Sequence, residues 1–323
     1  MRLQNRILMR INKLLLICLT AFLVFSCDND DDNTTEVVPP RDRGEVAIED
    51  DQALIDYLST HFYNYEEFES QPEDFVLKFD TISGVNSDKT PIIDSDKLIT
   101  RTVNFQGVDQ QLYILRVREG EGERPKFSDS TYVTYQGELL NENIFDSRLV
   151  TPIWFDLSGY VVRNSNGQLS GVGTNLSKGF AEGLLEFKSA TGFEVNSDNT
   201  INWNGDYGIG AIFMPSGLAY FSSPLEDIPA YSPLIFKVNM FRVNEADHDS
   251  DGIPSFMEDL DGDGDLFNDD TDGDGLPNHS DADDDGDGTL TIDEIVVNED
   301  GSITFTDSNS DGTPDYLDPD TFK

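Results

Sequence analysis

The last 77 residues, 247–323, hold 26 Asp and Glu against one base, Lys323, and the acids are not scattered. Five 12-residue frames lie along them, at 247–258, 259–270, 270–281, 283–294 and 307–318. In each, an acid or Asn fills positions one, three and five, glycine fills position six, and an acid fills position twelve. The oxygen-bearing residues are Asp247, Asp249, Asp251 and Glu258 in the first frame, and Asp259, Asp261, Asp263 and Asp270 in the second. Asp270, Asp272, Asp274 and Asp281 make the third, Asp283, Asp285, Asp287 and Glu294 the fourth, and Asp307, Asn309, Asp311 and Asp318 the fifth. A segment of net charge −25 with few apolar residues cannot offset both its own repulsion and its chain entropy with a hydrophobic core. Acidic disorder would not space its acids periodically. The spacing suits calcium, which takes about six to eight oxygens at about 2.3–2.6 Å, with glycine allowing the sharp turn between ligands.

Frames one and four meet the pattern D-x-D-x-D-G-x5-E of the EF-hand loop. EF-hand switching needs flanking helices, but successive frames start 12, 11, 13 and 24 residues apart, which leaves no room for helix pairs. The array therefore resembles thrombospondin type 3 repeats, in which metal replaces a hydrophobic core. A dockerin-like module is the alternative, and it calls for paired loops with intervening helices. The resemblance implies structural Ca2+ in residues 247–323. Leu276, Leu290, Ile292, Ile295 and Val297 are expected to pack locally.

The other end reads as an address. Residues 1–13 carry Arg2, Arg6, Arg10 and Lys13 and no acid, and residues 14–25 are 12 apolar or small residues. That run is too short to span a hydrocarbon core of about 30 Å, and a basic segment before a short apolar one marks a secretory signal. Leu23-Val24-Phe25-Ser26-Cys27 resembles the lipobox of bacterial lipoproteins, which implies a signal peptide over 1–26 and lipidation of Cys27. An uncleaved anchor helix is the alternative. The acidic run Asp28-Asn29-Asp30-Asp31-Asp32 resembles the export signal of surface lipoproteins in Bacteroidetes; a solvated acidic linker is the other reading. Together these imply an outer-membrane lipoprotein, held to the membrane by its acyl chains, on the cell surface if the acidic run is an export signal and on the periplasmic face if it is a linker. Only Cys18 and Cys27 are present, so cleavage leaves no pair for an intramolecular disulfide. The whole chain holds 63 acids against 21 Lys and Arg, a net −42, which excludes nucleic acid as a partner because phosphate binding needs a basic face. Residues 27–46, polar and with Pro39-Pro40, read as a tether.

Between the two ends lie the aromatic residues a core needs. Residues 47–106 read as an extension with one amphipathic helix over 48–62, where Leu54, Tyr57, Leu58 and His61 share a face and His61 is a packed residue. Phe75, Leu77 and Phe79 alternate like a strand. From Leu112 the pattern becomes regular. Strands are expected over 112–117, 132–139, 153–157, 209–214 and 234–243, with one helix over 179–188 that puts Phe180, Leu184 and Phe187 on one face. Many strands and one well-placed helix predict an α+β domain, an antiparallel sheet covering that helix.

VTYQGELLNENIFDSR, PIWFDL, SKGFAEGLLEF, MPSGLAYF and IPAYSPLIFKVNMF stand in that order within residues 107–245. Together they resemble the FKBP family of peptidyl-prolyl isomerases, whose fold is a bent antiparallel sheet wrapped around one helix. The resemblance implies rotation of X-Pro bonds in exported or envelope proteins, with no cofactor for catalysis and proline-containing proteins as partners. It assigns Tyr135, Phe145, Phe155, Phe180 and Phe236 to the pocket wall, with Ile228 among the substrate-binding residues. Asp146 matches the acid beside the pocket, Tyr220 the hydroxyl facing the carbonyl, and Leu176 and Ser177 the pair whose second N–H binds the ligand. Phe180 stands where the family usually has tryptophan, and Phe221 replaces the glycine that commonly follows the loop tyrosine. The alternative is a non-catalytic surface or adhesion lipoprotein whose FKBP-like domain binds extended peptides on a calcium-stiffened tail. Other chemistries find no motif: there is no GxSxG elbow and no phosphate loop, and His61, His248 and His279 are scattered.

Overall fold

Apolar residues about one helical turn apart explain the first element. Val46, Leu54, Tyr57 and Leu58 are buried along one face of α1 (Arg43–Thr60), and Asp42 caps its start by accepting from the Glu45 N–H at 3.0 Å. This corrects two boundaries: the helix begins inside the expected tether of 27–46 and ends before residue 62. The computed structural model describes residues 39–70, 75–165, 169–174 and 176–321. The signal segment, Cys27 and the acidic run after it lie outside the described residues. Among the described residues no helix is long and apolar enough to cross a membrane.

His61 ends α1 as a packed residue, its ring stacked on Tyr57 with centroids 3.8 Å apart. A short pairing of β1 (His61–Tyr63) with β2 (Phe79–Thr81) encloses the one-turn helix α2 (Tyr65–Phe68). Phe75 and Leu77 are buried but precede β2, so the alternation over 75–79 marks packing and not a strand.

The remaining strands run β3 (Leu98–Phe105), β4 (Val108–Arg118), β5 (Ser130–Leu139) and β6 (Ile144–Asp156), then a hairpin of β7 (Tyr160–Arg163) and β8 (Leu169–Gly173). After the helix α3 (Lys178–Leu184) come a second hairpin, β9 (Phe193–Val195) with β10 (Ile201–Trp203), and then β11 (Gly208–Met214) and β12 (Leu234–Asn244). The main sheet has the order β3-β4-β11-β12-β5-β6 and is antiparallel throughout. It starts at Leu98, ahead of the expected boundary at 107.

The fold is α+β, and both faces of the sheet are covered. Side chains alternate along a strand. On one face Leu112, Ile114, Ile212, Met214, Phe236 and Val238 pack with Phe180 and Leu184 of α3. On the other, Tyr113, Leu115, Ile209, Phe213 and Ile235 pack with Leu54, Tyr57 and Leu58 of α1. The helix α3 lies close on β11 because Gly183 has no side chain; a Cβ there would stand 2.6 Å from Ile212 Cδ1. Phe187 is fully buried beyond the end of α3.

The described residues from Arg41 onward form one compact unit. Its acidic tail contains a one-turn helix α4 (Thr291–Glu294) and the pair β13 (Ile295–Val297) and β14 (Ile303–Phe305), around a small cluster of Ile253, Ile295 and Tyr316. The tail rests on the sheet domain through a 2.9 Å contact between His248 Nε2 and Asp156 Oδ2 and through Lys126, whose ammonium sits 3.4 Å from the Phe256 ring centroid.

Candidate functional site

Strands β5 and β6 pair out of step between Val133 and Tyr135 and again between Gly137 and Glu138. Irregularities of this kind re-aim side chains. Gly137 lies opposite both Phe236 and Asp146. A Cβ at Gly137 would stand 2.5 Å from Phe145 Cε2, so the missing side chain is what lets that ring lie over the strand. Phe180 comes from α3 and packs on Phe236 at a centroid distance of 4.6 Å. Phe155, near the end of β6, meets Phe180 edge-on at 5.7 Å, and Phe145 meets Phe236 edge-on at 5.4 Å. Tyr135 closes the group, 5.6 Å from Phe155. Such offset and edge-to-face contacts are the favoured ones between rings.

These five rings, with Asp146, Leu176, Ser177, Tyr220 and Ile228, line one cavity of about 310 Å3. All ten residues singled out from the sequence motifs thus lie on its wall. Leu225, Glu226 and Asp227 line it as well. No motif marks them; they are brought there by the turn in which Leu225 and Ile228 bond each other's backbones.

Of the three acids on the wall, Asp146 is the one that its neighbours hold by hydrogen bonds. The Tyr135 hydroxyl donates to Asp146 Oδ2 at 2.6 Å, and the Ser147 N–H donates to Oδ1 at 2.8 Å. Burial, then the bond to Asp146, pushes the Tyr135 phenol up to about 12. Burial and the charge of Asp146 also raise Tyr220 above the ordinary tyrosine value. Both phenols are therefore protonated donors near neutral pH. Among the described residues no hydrogen bond occupies the Tyr220 hydroxyl. Among the described residues the cavity wall presents apolar rings, the Tyr220 hydroxyl and the carboxylates of Asp146, Glu226 and Asp227, and no His, Cys or Lys.

The loop carrying Tyr220 is held from behind by α1. Asp50, 5 % exposed, accepts from the Ser216 N–H at 2.8 Å and from the Ser216 hydroxyl at 2.6 Å, both on Oδ2. Burial pushes the Asp50 carboxyl up, and the two bonds from Ser216 oppose that. The Arg43 guanidinium sits 4.0 Å over the Phe221 ring and donates to the Gly217 carbonyl at 3.3 Å. Phe221 keeps the left-handed conformation that a glycine would adopt freely, with φ 48°, because its N–H donates to the Ser216 carbonyl and its own carbonyl accepts from the Tyr231 N–H. The sequence signal for this anchor is an acid on the apolar stripe of α1.

In the tail the five frames fold alike. The first Asp of each accepts from the N–H of the sixth-position glycine at 3.0–3.2 Å. That glycine has positive φ, 95° at Gly252 and 102° at Gly312. Carboxylate oxygens lie within 4.8 Å of one another in four groups: Asp247, Asp249 and Asp251; Asp259, Asp261 and Asp263; Asp270, Asp272 and Asp274; Asp283, Asp285 and Asp287. The ends of the frames differ from the expected ligand pattern. Asp281, Glu294 and Asp318 stand outside these groups, and Asp270 joins only the third frame's group. Asp281 accepts from the Asp283 N–H, and Asp318 accepts from the Asn309 amide at 2.7 Å, which also ties up the third position of frame five. Glu258 instead joins Asp251 and Asp284, the latter at a position the frames do not predict as a ligand. Burial and the crowded carboxylates push Glu258 up to about 11, Asp284 up to about 9 and Asp249 up to about 8.

A family model described as BamM C-terminal matches residues 248–306, and this, not the thrombospondin type 3 repeat, is the family the tail is similar to. No curated protein matches the chain. Among solved structures, the chain is similar to a peptidyl-prolyl cis-trans isomerase from Pseudomonas syringae pv. tomato, at 18 % identity and a TM-score of 0.32, over 47 % of this chain and 84 % of that one. It is similar to FkpA from Escherichia coli at 20 % identity and a TM-score of 0.35, over 62 % of each chain, so it spans less than two thirds of that protein. A third likeness is to the N-terminal domain of FKBP42 from Arabidopsis thaliana, at 16 % identity and a TM-score of 0.30, over 42 % of this chain and 87 % of that one.

Proposed function

We propose that the protein is a peptidyl-prolyl cis-trans isomerase of the bacterial envelope, anchored at the outer membrane through Cys27 and acting on X-Pro bonds of exported proteins. The observation that carries the reading is the cavity walled by Tyr135, Phe145, Phe155, Phe180 and Phe236, with Tyr220 and Asp146 also on its wall. Rotating an X-Pro bond meets a barrier of about 20 kcal/mol because amide resonance is lost on the way. The twisted amide is less polar than the planar one, so a dry aromatic wall favours it over the ground state. The proline ring sits on Phe180 and Phe236, and the Tyr220 hydroxyl donates to the imide carbonyl. Asp146, fixed by Tyr135 and the Ser147 N–H, holds the polar side of the cavity in place. No covalent step and no cofactor are needed.

The tail is read as a calcium array. Support comes from four three-carboxylate groups at the predicted first, third and fifth positions, and from their shared backbone geometry.

Isomerisation of an X-Pro peptide by the full chain, followed by exchange spectroscopy beside an active FKBP control, tests the first reading. Acceleration that falls in the Tyr220→Phe variant supports it. The uncatalysed rate, with proline peptide still bound, moves the reading to the peptide-binding lipoprotein.

A further inference from the structure

We infer that Asp251, Glu258 and Asp284 form a buried divalent-cation site that fastens the first acidic frame to the fourth. An oxygen of each carboxylate lies within 4.8 Å of the others, and the three residues are 1 %, 1 % and 2 % exposed. Their hydrogen bonding is unfinished. Both oxygens of Glu258, both of Asp284 and Oδ2 of Asp251 have no partner among the described residues. Only Asp251 Oδ1 is engaged, accepting from the Ile253 N–H at 2.7 Å. Buried carboxylates are otherwise paired or hydrogen-bonded, because each loses its hydration. Residues 247–321 contain neither Lys nor Arg to do this, and the two histidines are engaged elsewhere, His248 with Asp156 and His279 with the Leu266 carbonyl.

An all-carboxylate donor set selects a hard ion of the calcium or magnesium class, with backbone carbonyls or water completing its shell. Asp251 also belongs to the first frame's own group, so the buried ion shares a ligand residue with that frame. Asp284 occupies the second position of its frame, which accounts for the unbroken run Asp283-Asp284-Asp285. The site closes the chain over the two frames between, and it adjoins the small apolar cluster of Ile253, Ile295 and Tyr316. It rests on the calcium reading of the tail and not on isomerase activity.

Equilibrium dialysis of the full chain in detergent against radioactive calcium provides the test, with Glu258→Gln and Asp284→Asn as near-isosteric variants outside the four frame groups. Each is expected to lose one bound calcium or to bind it roughly tenfold more weakly, and to lose protease protection between residues 258 and 283 in calcium. In chelator, each is expected to be protected about as well as the parent, because the amide fills the same space as the carboxyl. Asp261→Asn, in the second frame's own group, is expected to lose a different ion while the protection of 271–283 survives. Parent and variants binding the same number of ions with equal affinity overturns this site while the array reading stands. A parent that binds no calcium overturns both.

Discussion

A phenol at the wall of an apolar cavity serves as a donor only while it keeps its proton. Tyr220 is raised above the ordinary tyrosine value and Tyr135 up to about 12, both chiefly by burial. Isomerisation is therefore expected to be flat with pH between about 6 and 9, a range below the ordinary tyrosine value. The sign for stability follows: a raised folded value adds stability that is complete below the unfolded value near 10, and that stability is lost as pH climbs through about 12. An absorbance titration of tyrosinate run alongside unfolding measures both. Tyr220→Phe removes the donor proposed for the imide carbonyl and is expected to lower kcat/KM about tenfold with little effect on melting. Asp146→Ala removes the acceptor of the part-buried Tyr135 hydroxyl and is expected to destabilise by about 1 kcal/mol, whereas Asp146→Asn keeps an acceptor and costs less. The cavity residues that lie within motifs are legible in the sequence, because ring, acid and hydroxyl recur at spacings that match a family. Leu225, Glu226 and Asp227 are not, since a loop's path into the cavity has no periodicity to read.

At the scale of elements, α1 acts as a clamp on the loop that bears Tyr220. Asp50→Ala removes the acceptor of two bonds from Ser216, one of them from a backbone N–H. A loss of about 2–3 kcal/mol and a fall in isomerisation are expected, measured by denaturant unfolding and by the peptide assay on the same sample. Asp50→Asn, which retains a carbonyl oxygen at that place, is expected to recover most of both. The strands themselves are legible from alternation, yet the position of the second helical layer is not. Its signal is present in the unbroken apolar runs Leu112-Tyr113-Ile114-Leu115 and Ile209 to Met214, which only a strand covered on both faces tolerates. Such a run shows that both faces are covered without saying by what, and Asp50 within the stripe Val46, Asp50, Leu54 gives α1 the pattern of a half-solvated helix.

For the whole molecule, the tail and the sheet domain meet without sharing the cavity. The cavity wall lies between residues 135 and 236, and the tail reaches its supports from outside: His248 meets Asp156, the neighbour of Phe155, and residues 263–267 line a second cavity with Lys178 and Ala181 of the helix that bears Phe180. Chelation is expected to open residues 247–323 to protease while changing kcat/KM by less than about threefold, an effect under 1 kcal/mol. A larger loss would mean that the contact at Asp156 governs the wall. The covered second face of the sheet also decides what can be cut from this protein. A fragment of 107–245 would retain every cavity residue and yet turn Tyr113, Leu115, Ile209, Phe213 and Ile235 to water, each at about 1.5–3 kcal/mol. It would also lose β3 and bare the edge of β4, a template for pairing with another copy. The cavity is therefore not a portable cassette: transplanted into another chain without its N-terminal helix, it would arrive as an aggregating sheet.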